Sequence, residues 1–168
     1  MIARRLAALG LGGALAVACG GGPRPRPPGP PVTATWPALD GGEVAVAALR
    51  GQVVVINVFA TWSPATALEL PVLAAADAAP DVTVIGLALD PEGYPLVAPW
   101  RTASDVTYLI ALADPPTRAG AGPLGAIAAV PTTIVLDRAG REIARLTGQL
   151  DDTTLGRAVD RARAAAAP

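Results

Sequence analysis

The residues of this chain best placed to do chemistry are Ser63 and Thr66, two hydroxyls three positions apart that follow Trp62 at the start of a predicted helix. The dipole at a helix N-terminus favours a developing negative charge there. A serine hydroxyl still needs a base to act as a nucleophile, and the chain contains no histidine. Ser-His-Asp and Cys-His devices are thereby excluded. The only cysteine, Cys19, lies far upstream, so no intramolecular disulfide can form. Zinc and copper sites rely on imidazole or thiolate ligands that the chain does not offer in number, and neither metal nor cofactor is expected. Helix capping accounts for Ser63 without any catalytic role.

These hydroxyls must be positioned by the elements around them. Val53–Phe59 is an almost continuous apolar, β-branched run with one polar residue, Asn57, and predicts a strand covered on both faces. A helix follows, with Ser63 as N-cap and Pro64 at its first position. Its apolar residues recur through Leu68, Val72 and Leu73, and Pro71 is expected to kink it. Upstream, Trp36–Arg50 reads as a hairpin turning at Leu39-Asp40-Gly41-Gly42, with Val44–Val46 as the returning strand. Val82–Leu89 is a second buried strand closed by Asp90-Pro91. Tyr94–Thr102 predicts a short or distorted helix, because of Pro95 and Pro99, and Val106–Leu112 an extended or loop-like stretch. Thr132–Leu136 and Glu142–Leu146 flank Asp137-Arg138-Ala139-Gly140 as a second hairpin, and Thr153–Ala166 closes the chain as a helix. Strand–helix–strand followed by hairpin–helix is an α/β sandwich around a mixed sheet.

Four segments carry a resemblance to the TlpA/ResA branch of the thioredoxin-fold thiol–disulfide oxidoreductases. Ala38-Leu39-Asp40-Gly41 through Leu49-Arg50-Gly51 resembles the family's entry hairpin. Asn57-Val58-Phe59-Ala60-Thr61-Trp62 resembles its strand into the active site, Glu69-Leu70-Pro71 its helix motif, and Val130-Pro131-Thr132-Thr133 its cis-proline loop. The resemblance covers about Thr35 to Ala164. It implies an α/β, thioredoxin-like three-layer sandwich with a central mixed sheet and an N-terminal β-hairpin.

It also places the family's two active-site cysteines at Ser63 and Thr66. In the family the first thiol attacks and the second resolves the mixed disulfide; a serine and a threonine can do neither. Glu69 matches a glutamate that tunes the thiols, and without them is expected to be a partly exposed carboxylate helping the helix start. Val130 and Pro131 would offer backbone groups to an extended partner segment, with Trp62 as an apolar wall. The alternative is that Pro131 only shapes its loop and Trp62 only covers the core.

The first 18 residues read as a targeting segment: Arg4 and Arg5 precede an apolar run, Leu6–Ala18, that is too short to span a bilayer. Leu15-Ala16-Val17-Ala18-Cys19-Gly20 resembles a bacterial lipoprotein signal, which implies lipidation of Cys19; ordinary cleavage after Ala18 is the rival. Residues 19–31 then form a Pro/Gly/Arg-rich tether. It could hold the domain, residues 32–168, up to roughly 35 Å from the lipid. Arg24 and Arg26 lie where weak contact with anionic headgroups is expected.

Formal net charge is −1 and no basic cluster is interleaved with aromatics, which excludes nucleic acid as a partner. Arg157, Arg161 and Arg163 read as a solvated helix face beside Asp160. The expected function is a membrane-tethered, non-catalytic module that binds a protein or peptide in the bacterial cell envelope. The alternatives are an oxidoreductase using cysteines supplied elsewhere and a drifted, inactive copy.

Overall fold

The computed structural model describes residues 29–165. The targeting segment, Cys19 and the tether up to residue 28 lie outside the described residues. From Thr35 the chain forms a small antiparallel hairpin of β1 (Thr35–Pro37) and β2 (Glu43–Ala45), followed by a 3-10 turn at Val46–Leu49. The returning strand therefore ends one residue earlier than expected, with Val46 already in the 3-10 turn.

Next come β3 (Val53–Phe59), α1 (Pro64–Asp77), β4 (Val82–Ala88), α2 (Tyr94–Ala103) and β5 (Leu109–Leu112). A four-residue helix, α3 (Pro115–Arg118), leads toward the hairpin of β6 (Thr132–Leu136) and β7 (Glu142–Thr147). The last element is α4 (Asp152–Ala164).

Five strands form one mixed sheet in the order β5-β4-β3-β6-β7. β3, β4 and β5 are parallel, and β6 runs antiparallel to both β3 and β7. Strand alternation divides the core in two. Val53, Val55 and Phe59 face a cluster with Leu73 of α1, Val97 of α2, and Leu155 and Val159 of α4. Val54, Ile56 and Val58 face the opposite way, toward Trp36 and Val44 of the entry hairpin and Leu124. The result is three layers: helices, sheet, and a second cover of hairpin and loop. All seven residues of β3 are buried, as its uninterrupted apolar pattern requires.

Two elements differ from expectation. Residues 109–112 are a sheet strand, paired parallel to Ile85–Ala88, and Leu109 stays exposed because β5 is the last strand on that side. A short helix that was not expected follows at Pro115. Asp114 caps α3 by accepting a hydrogen bond from the Thr117 N–H at 3.0 Å, and Trp36 Nε1 donates to Thr117 Oγ1 at 3.0 Å. The short helix thus ties the entry hairpin to the sheet. Pro71 lies inside α1, which continues past it to Asp77.

Gly86 is the sheet neighbour of Asn57, and its missing side chain makes room for three others. A Cβ there would lie 2.5 Å from Ile110 Cδ1, 3.1 Å from the Tyr108 ring and 3.2 Å from the Phe59 ring. Gly86→Ala should therefore destabilise the fold by about 1–3 kcal/mol through overpacking. Urea unfolding of the variant checks this, and an unchanged midpoint would show that the aromatic layer relaxes freely.

Candidate functional site

Ser63 stands at the N-cap position of α1 with extended backbone angles, and Pro64 opens the helix. Its hydroxyl makes no capping hydrogen bond, so the capping role expected for the side chain is not the one it plays. The first turn is closed by the main chain: the Ser63 N–H donates to the Ala60 carbonyl and the Thr66 N–H to the Ser63 carbonyl, each at 3.1 Å. Thr66 is 1 % exposed, and its hydroxyl donates to the Ala60 carbonyl at 3.3 Å. Both residues are thus buried, Ser63 at 7 % exposure, and the hydroxyl of Thr66 is committed to the backbone.

Trp62 is the opposite case. Its side chain is 73 % exposed, which removes the alternative reading in which it only covers the core. The loop beneath it is held from β4. Asp90, buried just past the strand's end, accepts from the Thr61 N–H at 3.1 Å and from the Thr61 hydroxyl at 2.7 Å. Sequence reading assigned Asp90 only a strand-closing role; an acid directly after a buried strand was the available signal. One helical turn and a half beyond Trp62, Leu68 is 60 % exposed.

Glu69 is fully buried, which corrects the expected partly exposed carboxylate. It faces inward, where two donors from distant parts of the chain meet it. Oε2 accepts from Asn57 Nδ2 of β3 at 2.9 Å, and Oε1 accepts from the Leu150 N–H, at the entrance to α4, at 2.7 Å. The same Asn57 amide donates to Thr133 Oγ1 of β6 at 3.0 Å, while Asn57 Oδ1 is buried without a partner. Burial pushes the Glu69 pKa above its ordinary value, and the hydrogen bonds from Asn57 and Leu150 pull against that shift. Tyr108 is also raised, first by burial and then by the negative charge of Glu69. Both carboxylate oxygens are in use, so Glu69 is a structural tie between β3, α1 and α4 and is not placed as a free base.

The peptide bond between Val130 and Pro131 is cis. Pro131 is buried and Val130 half-buried. Thr132 pairs with Val58 in the sheet, so these two residues lie at the end of β3 from which Ala60–Ser63 departs. The structure therefore brings Ser63, Thr66, Trp62, Val130 and Pro131 to one end of the sheet and sets Glu69 beneath them in the core. No group of His, Cys, Asp or Glu among the described residues could hold a metal ion.

A five-stranded mixed sheet with β3–α1 leading out of its centre, a cis-proline loop beside that helix start and an N-terminal hairpin defines a thioredoxin-like domain. The chain belongs to the redoxin family, whose profile matches residues 27–165. Among solved structures it is similar to a thiol:disulfide interchange protein of the thioredoxin family from Chlorobium tepidum TLS. That match has 25 % identity and a TM-score of 0.69, covering 83 % of this chain and 99 % of the other. A secreted thiol-disulfide isomerase from Corynebacterium glutamicum matches at 24 % identity and a TM-score of 0.66, over 77 % of this chain and 83 % of its own. StoA from Bacillus subtilis matches at 18 % and 0.61, over 76 % and 96 %. The last two likenesses concern the fold alone. No curated protein sequence matches the chain.

Proposed function

We propose that this protein is a membrane-tethered thioredoxin-fold module of the bacterial cell envelope that binds a protein or peptide and performs no thiol–disulfide exchange itself. The observation that carries this is the state of the two positions where the family resemblance places sulfur. They hold Ser63 and Thr66, both buried, with the Thr66 hydroxyl bonded to the Ala60 carbonyl. The one cysteine lies outside the domain, at position 19. What remains for recognition is Trp62, exposed at the same end of the sheet as Val130 and Pro131. An exposed aromatic beside backbone groups suits an extended partner segment. Lipidation of Cys19 would supply the tether.

The test is an insulin-reduction assay on protein with Cys19→Ala, which should give no turnover above a blank; measurable turnover would overturn the mechanism. In intact envelopes, Trp62→Ala should weaken cross-linking to the partner by about tenfold, the scale of an aromatic anchor. Intact-mass analysis should find a lipid on Cys19, and a free thiol on a soluble mature chain would remove the tether.

A further inference from the structure

A cleft of about 760 Å³ lies between the β1–β2 turn and α2. Leu39, Asp40, Tyr94, Ala98, Arg101 and Asp105 are among its lining residues. Tyr94 is 60 % exposed, so an aromatic ring stands open at its side. Arg101 is already spent: its guanidinium pairs with Asp40 and donates to the Val106 carbonyl. Asp105 has no ion-pair partner among the described residues. Neither does Glu43, which lines a neighbouring depression of about 290 Å³ across the same turn. The two depressions share Ala38, Asp40 and Gly41 and together present two uncompensated carboxylates beside an aromatic.

We propose that this cleft docks the chain's own Pro23-Arg24-Pro25-Arg26-Pro27-Pro28 segment. Charge points to it first. All 14 acidic residues of the chain lie within residues 29–165, against nine of its 13 arginines, and the other four arginines precede residue 29. The domain is thus net negative and its leading segment is purely cationic. Conformation points to it second. Alternating prolines favour polyproline II, the form that aromatic-lined grooves recognise at little entropic cost. With three residues per turn, Arg24 and Arg26 project in different directions, as two carboxylates on either side of one turn require.

Reach is the third condition. Val32 is pinned by its N–H to the Gly140 carbonyl at 2.8 Å. Eight residues separate it from Arg24, about 25 Å of polyproline II. Eight residues also separate it from Asp40, at most about 26–29 Å of extended chain. The segment can therefore fold back to the turn without disturbing the domain. Docking would shorten the tether and hold the domain close to its point of attachment.

The experiment uses the chain from Cys19 onward, made without lipid, with a nitroxide on that unique cysteine. Line broadening in the amide spectrum should concentrate on Gly41, Tyr94 and Asp105 at low salt. It should fall several-fold in Arg24→Ser/Arg26→Ser, in Asp105→Asn, and in about 1 M salt, where the Debye length is about 3 Å. Asn is chosen because residue 105 has a φ of 52°, a left-handed angle that Asn tolerates. Broadening confined to Val32 and Gly140, broadening spread evenly over the surface, or cleft broadening unchanged in both variants would overturn the proposal. So would a label that leaves bulk solvent only when anionic phosphatidylglycerol vesicles are added, since the arginines would then be reading headgroups.

Discussion

Glu69→Ala is expected to cost the domain about 3–5 kcal/mol of unfolding free energy, while Glu69→Gln costs less than about 1 kcal/mol. Alanine leaves the Leu150 N–H and the Asn57 amide without their acceptor in a fully buried place, at about 1–3 kcal/mol for each unsatisfied group, and adds a cavity. Glutamine keeps an acceptor for one of these donors, and its own amide N–H can reach the orphaned Asn57 oxygen if the two amides reorient. The pH dependence separates charge from shape. Burial raises the Glu69 pKa above 4.5 in the folded state, so the protonated form is favoured by folding. Its contribution is fully present below the unfolded value and is lost as pH rises through the folded value. Asp81, Asp114 and Asp151, whose pKa values are lowered by their hydrogen bonds, act in the opposite direction at lower pH. The informative quantity is therefore the difference between wild type and Glu69→Gln in urea unfolding at about pH 4 and pH 7.5. The glutamine variant should gain on wild type as pH rises. A constant difference would mean that the buried carboxylate is not the group being titrated.

Ser63→Cys together with Thr66→Cys should give a domain that reduces insulin, where the parent domain is expected to give no turnover above a blank. The scaffold asks for little adjustment. Residue 63 already occupies the N-cap and residue 66 lies one turn along, its side chain buried against the same loop. The cost is the Thr66 hydrogen bond to Ala60, about 1 kcal/mol. The helix dipole should lower the pKa of the thiol at position 63 and supply the thiolate. A redox titration of the double variant, with each single variant as control, checks this. A folded double variant that cannot close the disulfide would show that the helix start has been rebuilt around its hydroxyls, beyond the loss of sulfur.

Most of the fold was legible in the sequence because its signals are local. β3 runs over Val53–Phe59 as its apolar, β-branched pattern requires, and Ser63-Pro64 marks the start of α1 to the residue. α3 was missed because four residues holding two prolines carry no helical period; only the Asp114–Thr117 capping spacing betrays them. β5 was ambiguous because an edge strand with an exposed Leu109 lacks a clean alternation. In the candidate site, the identity of the positions was readable and their burial was not. Glu69 is inside because Leu150, 81 residues away, brings it an N–H, and no local pattern encodes a partner at that separation. Trp62 is the converse case: its side chain is 73 % exposed, and a single tryptophan after a buried strand carries no local pattern that says which way it turns.

The place where the chain enters the domain has a directional consequence. Val32 is fastened beside the turn between β6 and β7, next to Gly51 and the beginning of β3, whereas Trp62 follows that strand's far end. β3 spans about 23 Å between them. Whatever grips the polypeptide upstream of Val32 grips the domain by its heel, and the tryptophan looks the other way. A crowd of such domains standing on one surface would meet flank to flank, leaving every tryptophan open to visitors arriving from above.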